Sequence, residues 1–126
     1  YGHACHNLTV YGGNDADMAL AANTLRDAQG GLCTAENGKV LTLIPLPLAG
    51  LMCDQSPEAL LAQMEQFLAD CRRMGFTHKN LLTFFTLMPL AVSPELKCTD
   101  RGLVDALHKR LLPLIEEIKE ISSDGT

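Results

Sequence analysis

Residues 44–52, with the sequence IPLPLAGLM, constrain the fold of this chain more than any other stretch. They are apolar and uncharged, yet Pro45 and Pro47 at alternate positions exclude a helix and remove two donors from any β-ladder. Gly50 then allows a turn, or a close backbone approach that a Cβ atom would block. Because an exposed loop does not normally contain this much apolar surface, we predict an extended segment packed against either this chain or a neighbouring domain or subunit.

The size and charge of the chain limit its class. Its 126 residues suit one domain with its own core, and 47% hydrophobic with 20% charged residues is typical of a globular protein. The net charge of -5 argues against nucleic-acid binding, which needs a basic surface. No apolar run reaches the roughly 20 residues of a membrane helix, and the N-terminus lacks a signal-peptide pattern. We therefore expect a cytoplasmic protein with neither nucleic acid nor membrane as a partner.

Five cysteines are scattered along the chain without a CxxC pair. An odd, unpatterned set fits reduced thiols better than a disulfide framework. We expect these residues to act mainly as small buried hydrophobic side chains. They are Cys5, Cys33, Cys53, Cys71 and Cys98.

The first half of the chain predicts a strand, a helix and a hairpin. Residues 6–12 alternate apolar and polar side chains before a glycine pair, a pattern that predicts a strand ending in a turn. Asn14 or Asp15 can cap the helix that follows, and residues 15–29 have apolar positions at helical spacing, so we predict an amphipathic helix there. Asn37 and Gly38 separate two β-rich runs, which is the strongest short-range signal for a two-residue hairpin.

The second half predicts a helix, a strand and a further helix. Ser56 has the position of an N-cap, and the amphipathic run behind it ends before Gly75. Residues 81–88 are apolar on both alternate sets, which indicates a strand covered on both faces. Residues 102–121 have helical periodicity that Pro113 interrupts, so we expect a kinked C-terminal helix.

Together these elements predict an α/β fold of the two-layer α+β type. We expect a mixed sheet of about four strands in βαββαβ order with two main helices, followed by the kinked C-terminal helix. Right-handed crossovers would place the first and third strands at the centre of the sheet. We expect a single domain over residues 1–121 and a disordered tail over residues 122–126.

Motifs of known chemistry are absent from the sequence. It contains no HExxH, GxSxG or glycine-rich phosphate loop. Gly12 and Gly13 follow the predicted first strand and precede a helix, where an anion could meet free N–H groups. However, a third glycine is missing and Asp15 and Asp17 would repel a phosphate, so the sequence disfavours a nucleotide site there.

His3, Cys5 and His6 form the densest set of potential metal ligands. In the predicted strand, however, the two histidines would point to opposite faces, which favours ordinary histidines over a metal site. An alternative site would combine the amino group of Tyr1, two backbone amides and the His3 imidazole. That square-planar nitrogen set suits Cu(II) or Ni(II).

Charged residues cluster after Pro94, at Glu95, Lys97, Asp100 and Arg101. A solvated loop with weak ion pairs is the favoured interpretation. The alternative is a polar rim presented to a site on another domain.

Four separated segments, in this order, resemble one known family. Together they closely resemble the C-terminal domain of bacterial adenine deaminases of the amidohydrolase superfamily, over about residues 3–105. One departure is Ala4-Cys5, where the family usually has an acidic residue and a serine. The segments are HACHN at residues 3–7, GGNDADM at 12–18, LPLAGLM at 46–52 and PELKCTDRGLVD at 94–105.

The resemblance implies the hydrolysis of adenine to hypoxanthine and ammonia by a metal-activated hydroxide. In the whole family enzyme the metal, a divalent Mn, Fe or Zn ion, is held in a (β/α)8 barrel N-terminal to this domain. We therefore expect no catalytic residue and no cofactor in this chain. The positions that match the family, as a candidate site or interface, are His3, His6, Asn7, Asp17, Met18, Gly50, Glu95, Lys97 and Asp100.

Two functional hypotheses follow. The first is a C-terminal accessory domain of an adenine deaminase, or a stand-alone relative, inactive alone and partnered by a catalytic barrel or a twin subunit. The second is a stand-alone module for oligomerisation or for binding a small, purine-like molecule. The connector at residues 44–52 and a second Pro-rich connector, bounded by Pro89 and Pro94, are uncharged and difficult to leave in water, so we also expect a homo-oligomer.

Overall fold

The computed structural model describes residues 2–115, which contain three helices and five strands in two compact units. Unit 1 ends at Pro89 and unit 2 begins at Leu90. Unit 1 contains α1 (Asp15–Asp27), β1 (Gly31–Glu36), β2 (Lys39–Pro45), α2 (Pro57–Arg73) and α3 (Leu81–Leu87). Unit 2 contains β3 (Leu96–Thr99), β4 (Gly102–Asp105) and β5 (Arg110–Leu112). The predicted mixed α/β class is confirmed, as is the helix–strand–strand–helix centre of the predicted order.

Helices α1 and α2 begin at the predicted caps. The Asn14 side chain accepts hydrogen bonds from the backbone N–H groups of Ala16 and Asp17, at 2.9 and 3.3 Å. Ser56 accepts one from the N–H of Ala59 at 3.3 Å, with a proline next to it in the first turn. In each helix the side-chain oxygen satisfies N–H groups that have no partner within the helix.

The β1–β2 hairpin closes at the Asn-Gly pair. Asn37 and Gly38 have φ values of 53° and 73°, the left-handed conformation that a two-residue turn between twisted strands requires. Glu36 pairs with Lys39 next to the turn, and the register shifts once, between Thr34 and Ala35. The local sequence therefore determines this hairpin.

The core of unit 1 lies where the hairpin meets α2 and α3. Its buried apolar side chains are Ile44, Leu46, Phe67, Cys71 and Leu81. The apolar connector at residues 44–52 is therefore packed only over its first part. Its second part turns back at Ala49 and Gly50, which leaves Leu48 and Met52 with 53% and 60% of their surface exposed.

Two predicted strands of unit 1 are wrong. Residues 6–12 run without a ladder partner, and residues 81–87 form the helix α3. The second error arose because a short apolar run is compatible with both a buried strand and a buried helix. The overlooked signal was Asn80, whose side chain accepts a hydrogen bond from the N–H of Thr83 at 3.3 Å and so caps the helix.

The strands of the described residues form two antiparallel sheets in place of one mixed sheet. In unit 2 the order is β3-β4-β5. The residues predicted as a charged loop, 95–101, contain β3. The helix predicted over residues 102–121 is wrong over 102–112, which contain β4 and β5, and its end lies outside the described residues, as does the predicted tail over 122–126. Gly102 with φ 119° and Lys109 with φ 54° produce the two turns that a continuous helix would exclude.

No helix within residues 2–115 combines the length and the apolar character needed to cross a membrane. The five cysteines are free thiols.

Candidate functional site

Three of the four family-like segments meet around two cavities in unit 1. The first cavity, of about 320 Å³, lies among residues 7–14, one face of α1, strand β1 and a group of aromatic side chains. The second cavity, of about 250 Å³, lies among the N-terminal residues, the end of α1 and residues 49–51. Asn7, Leu8, Leu25 and Gly31 line both cavities, so the two cavities are neighbours.

The cavities bring together five of the predicted site residues. His6, Asn7 and Gly50 line the second cavity, although more than forty positions separate Gly50 from the other two. Asn7, Asp17 and Met18 line the first cavity. The first, second and third segments therefore share one region of the fold.

Asp17 holds the hairpin turn against the start of α1. Its Oδ1 accepts a hydrogen bond from the N–H of Gly38 at 2.7 Å, and its Oδ2 accepts one from the N–H of Asn37 at 3.0 Å. Both oxygens are thus engaged with the backbone of the Asn-Gly turn. The residue positions the hairpin, because its carboxylate accepts from both N–H groups of this exposed turn.

Glycines allow two close approaches beside these cavities. A Cβ atom on Gly12 would lie 2.7 Å from Cγ of Met18, so the absence of a side chain lets Met18 reach the first cavity. A Cβ atom on Gly30, where φ is +116°, would lie 2.7 Å from Cα of Gly50. Gly50 therefore makes the close backbone approach predicted from the sequence, and Gly30 is the residue that it approaches.

The N-terminal histidines and Cys5 do not form a metal centre. His6 has φ 56°, and its N–H donates to the carbonyl of Gly2 at 2.7 Å, which closes a tight turn over residues 2–6. Within residues 2–115, no group of three or more His, Cys, Asp or Glu side chains is arranged to hold a metal ion. Tyr1, which the alternative copper or nickel site needs, lies outside the described residues.

The fourth segment lies in unit 2, where two of its residues, Glu95 and Lys97, make local hydrogen bonds. The carbonyl of Glu95 accepts a hydrogen bond from the N–H of Ala106 at 2.9 Å. The Lys97 ammonium donates to the carbonyl of Pro94 at 3.2 Å, and the exposed Asp100 lies in the turn between β3 and β4.

A buried carboxylate in unit 1 was not predicted from the sequence. Asp70 is 5% exposed, and its Oδ2 accepts hydrogen bonds from the hydroxyls of Thr34 at 3.0 Å and Thr42 at 2.6 Å. Its Oδ1 accepts one from the Gln66 amide at 3.1 Å, and the Arg73 guanidinium lies 3.8 Å away. Burial by itself would raise the pKa of Asp70, but these hydrogen bonds and the nearby charge outweigh it and lower the pKa.

The same environment affects the thiols next to it. Burial, with a further contribution from the Asp70 charge, raises the pKa of Cys71 to about 11. Burial also raises the pKa of Cys33. Because the thiolate is the reactive form, these two cysteines are poor nucleophiles at neutral pH.

A second carboxylate cluster lies in unit 2, around Asp105. The side chain accepts hydrogen bonds from the backbone N–H of His108 at 3.0 Å and from Nε of Arg110 at 3.3 Å, and its Oδ2 lies 2.7 Å from Nδ1 of His108. The backbone hydrogen bond from His108 is the main reason why the pKa of Asp105 is lowered. The spacing Asp-x-x-His-x-Arg could have indicated this cluster had a turn been predicted there.

Comparison with known proteins agrees with the resemblance seen in the sequence. The model of the adenine deaminase C-terminal domain matches residues 1–110. The chain belongs to the adenine deaminase C-terminal domain family. It is similar to the adenine deaminase of Moorella thermoacetica, with 42% identity over 90% of this chain, and to that of Clostridium botulinum, with 46% identity over 91%. The adenine deaminase of Methylobacterium sp. is 44% identical over 89% of the chain.

This adenine deaminase C-terminal domain spans only part of those relatives. It covers 19% of the length of the Moorella and Clostridium proteins and 20% of the Methylobacterium protein. The predicted family is thus confirmed, and the match is to one domain of proteins about five times as long as this chain.

Proposed function

We propose that this chain is the C-terminal accessory domain of a cytoplasmic adenine deaminase, and that it supports the hydrolysis of adenine to hypoxanthine and ammonia. The observation that carries the proposal is the match to 90% of this chain but 19% of a relative named adenine deaminase. The function therefore belongs to a larger protein, of which this domain is one part.

The proposal places the divalent metal, a Mn, Fe or Zn ion, on the catalytic domain. Within the described residues the donors of this chain do not fit a metal centre, since no group of three or more ligands converges. His3 and His6 lie in an exposed turn, and Asp17 is occupied by backbone N–H groups.

We propose that the exposed half of the apolar connector is the surface of this chain that contacts the catalytic domain. Leu48 and Met52 form an isolated bridge with each other while more than half of each residue is exposed. Covering such side chains contributes about 25 cal/mol per Å² of apolar area removed from water. Gly50 lies in the turn between them and also lines the second cavity.

A chimera tests the proposal. The region of the Clostridium botulinum enzyme that matches this chain is either deleted or replaced by this chain, and adenine turnover is measured with Mn(II), Fe(II) or Zn(II). We expect the deletion to lose most of the activity and the chimera to recover it, and we expect the separate 126-residue chain to show none. A deletion as active as the intact enzyme would contradict the proposal, and so would metal-dependent turnover by the separate chain.

The connector surface has its own test in the same chimera. Leu48→Asp should lower the activity or the yield of the folded chimera, because it places a charge in the proposed interface. Val40→Asp is the matched control, since Val40 is also an exposed apolar residue but lies outside the connector. Equal effects of the two substitutions would show that the connector is not part of the interface.

A homo-oligomerisation module is the second candidate, because a twin subunit could cover the same two side chains. Sedimentation of the separate chain distinguishes the two functions. A dimer that Leu48→Asp converts to a monomer favours the second candidate, whereas a monomer favours a partner of different sequence.

A further inference from the structure

One edge of strand β1, at Cys33 and Ala35, pairs with no other described strand, and both residues line the first cavity. Among the described residues β1 pairs only with β2. At one end of the ladder the N–H of Leu46 donates to the carbonyl of Gly30 at 3.1 Å. At the other end Glu36 pairs with Lys39 next to the hairpin turn. Because backbone groups in an antiparallel ladder alternate in direction, the N–H and C=O groups of Cys33 and Ala35 point away from β2.

Aromatic and apolar side chains form much of the rest of the lining. Tyr11, Phe76 and Phe85 line the first cavity as a packed group, with the Phe85 ring centroid 4.9 Å from that of Tyr11 and 5.3 Å from that of Phe76. Met18 and Ala22 of α1 line the cavity as well. Ring faces together with a row of backbone donors and acceptors suit a flat ligand whose polar atoms lie in its own plane.

The charges of the lining exclude one ligand class. The lining residues include two carboxylates, Asp17 and Glu36, and no Lys, Arg or His. Asp17 is bonded to the hairpin turn, and Glu36 is paired with Arg73. A phosphate would find no cation and no free positive partner in this lining, so the cavity is suited to an uncharged ligand.

We propose that the first cavity is a binding site for a planar, uncharged nitrogen heterocycle, namely a free purine base and not a nucleotide. The outward backbone groups of Cys33 and Ala35 would hydrogen-bond the edge of the base, and the rings of Tyr11 and Phe85 would pack against it. The choice of a purine rests on the proposed function, since the relatives are adenine deaminases. The cavity volume of about 320 Å³ lies at the lower end of the range of small-molecule sites.

Binding of adenine to the 126-residue chain, measured by calorimetry, is the first test. We expect saturable binding of adenine and binding of adenosine monophosphate that is at least about tenfold weaker. Ala22→Phe should fill the cavity and abolish adenine binding, whereas Ala19→Phe, at an exposed position of the same helix, should not change it. No saturation with adenine, equal affinity for the nucleotide, or equal effects of the two substitutions would overturn the proposal.

Hydrogen exchange gives an independent test that does not depend on a substituted chain. We expect adenine to slow amide exchange at Cys33 and Ala35, and to leave the Thr34 amide, which faces β2, unchanged. Slow exchange at Cys33, Ala35 and residues 8–12 in the absence of adenine would overturn the proposal. It would show that residues 8–12 close onto β1 as a strand and fill the space.

Failure of this inference is distinguishable from failure of the proposed function. A chimera that recovers deaminase activity while the chain does not bind adenine contradicts only the base site. Adenine binding by the chain with an inactive chimera contradicts only the accessory role.

Discussion

Asp70 in unit 1 and Asp105 in unit 2 are both nearly buried carboxylates, with 5% and 7% of their surface exposed. Each accepts several hydrogen bonds, and each has a pKa below the usual value. Their donors differ in kind. Asp70 is bonded mainly by neutral groups, the hydroxyls of Thr34 and Thr42 and the Gln66 amide, whereas Asp105 is bonded by His108 and the guanidinium of Arg110.

The two clusters also differ in how far apart their members lie in the sequence. Thr34 and Thr42 face each other across the β1–β2 hairpin and lie 36 and 28 positions from Asp70. The partners of Asp105 lie three and five positions away. One carboxylate therefore joins α2 to the hairpin, and the other holds only its own turn. Loss of the first should affect the whole of unit 1, and loss of the second should have a local effect.

Removal of the Asp70 carboxylate should have the largest effect. Asp70→Ala leaves the buried hydroxyls of Thr34 and Thr42 without their acceptor, so we expect the free energy of unfolding to fall by about 3 kcal/mol. Urea denaturation followed by circular dichroism measures the change. Asp54→Ala, at an exposed position, is the control and should be close to neutral. If Asp70→Ala lowers the free energy of unfolding no more than Asp105→Ala does, the two carboxylates do not differ in their contribution to stability.

Acidification of the unsubstituted chain should remove the stabilisation that the ionised Asp70 carboxylate provides. The folded-state pKa of Asp70 is lower than that of the unfolded chain, so the stabilisation is complete above the unfolded-state pKa and is lost as the pH falls through the folded-state value. We expect the free energy of unfolding to decrease below about pH 5, and to decrease less steeply in Asp70→Asn. Parallel pH profiles for the two chains would contradict this assignment.

Asp17 extends the comparison to a carboxylate that accepts only from backbone N–H groups. Asp17→Asn keeps the side-chain shape but weakens both hydrogen bonds to the hairpin turn, so we expect a loss of about 1 kcal/mol in the free energy of unfolding. Faster amide exchange at Asn37 and Gly38 should accompany it. Asp15→Asn removes the same charge from the same turn of α1 without changing these hydrogen bonds. If the two variants have equal stability, Asp17 does not hold the turn.

Salt should have the smallest effect and should separate the two clusters. The Arg110 guanidinium beside Asp105 is exposed, so about 1 M NaCl, with a Debye length near 3 Å, should weaken its attraction to the carboxylate. The neutral donors of Asp70 should be insensitive. We expect amide exchange in β4 and β5 to become up to about threefold faster with salt, and exchange in β1 and β2 to stay constant. Equal responses in the two sheets would show that the kind of donor does not matter.

The sequence predicted those elements whose signals lie within a few residues. The caps at Asn14 and Ser56 and the Asn37-Gly38 turn placed α1, α2 and the hairpin correctly. The strand predicted over residues 81–88 was wrong because periodicity alone does not distinguish a short buried strand from a short buried helix. The predicted C-terminal helix was wrong over residues 102–112 because Gly102 and Lys109 adopt turn conformations that apolar spacing does not reveal.

The family resemblance selected several residues that lie around the cavities, and their role in a site stays a prediction. Asn7, Asp17, Met18 and Gly50 were selected as family-like positions, and in the structure they line the two neighbouring cavities. The role of Asp17 as the acceptor for the hairpin turn was not predictable, since the turn N–H groups lie about twenty positions away. Asp70 was missed for the same reason. Only folding brings its donors together.

The sequence by itself determined the family, the mixed α/β class, the capped helices and the hairpin turn, because each depends on short segments read in order. Tertiary structure decided which half of the connector at residues 44–52 is buried, whether residues 81–87 form a helix, and which carboxylate receives neutral donors. The physical reason is that burial and hydrogen-bond satisfaction depend on partners that are distant in the chain. A buried polar group such as Asp70 is stable only where those partners converge.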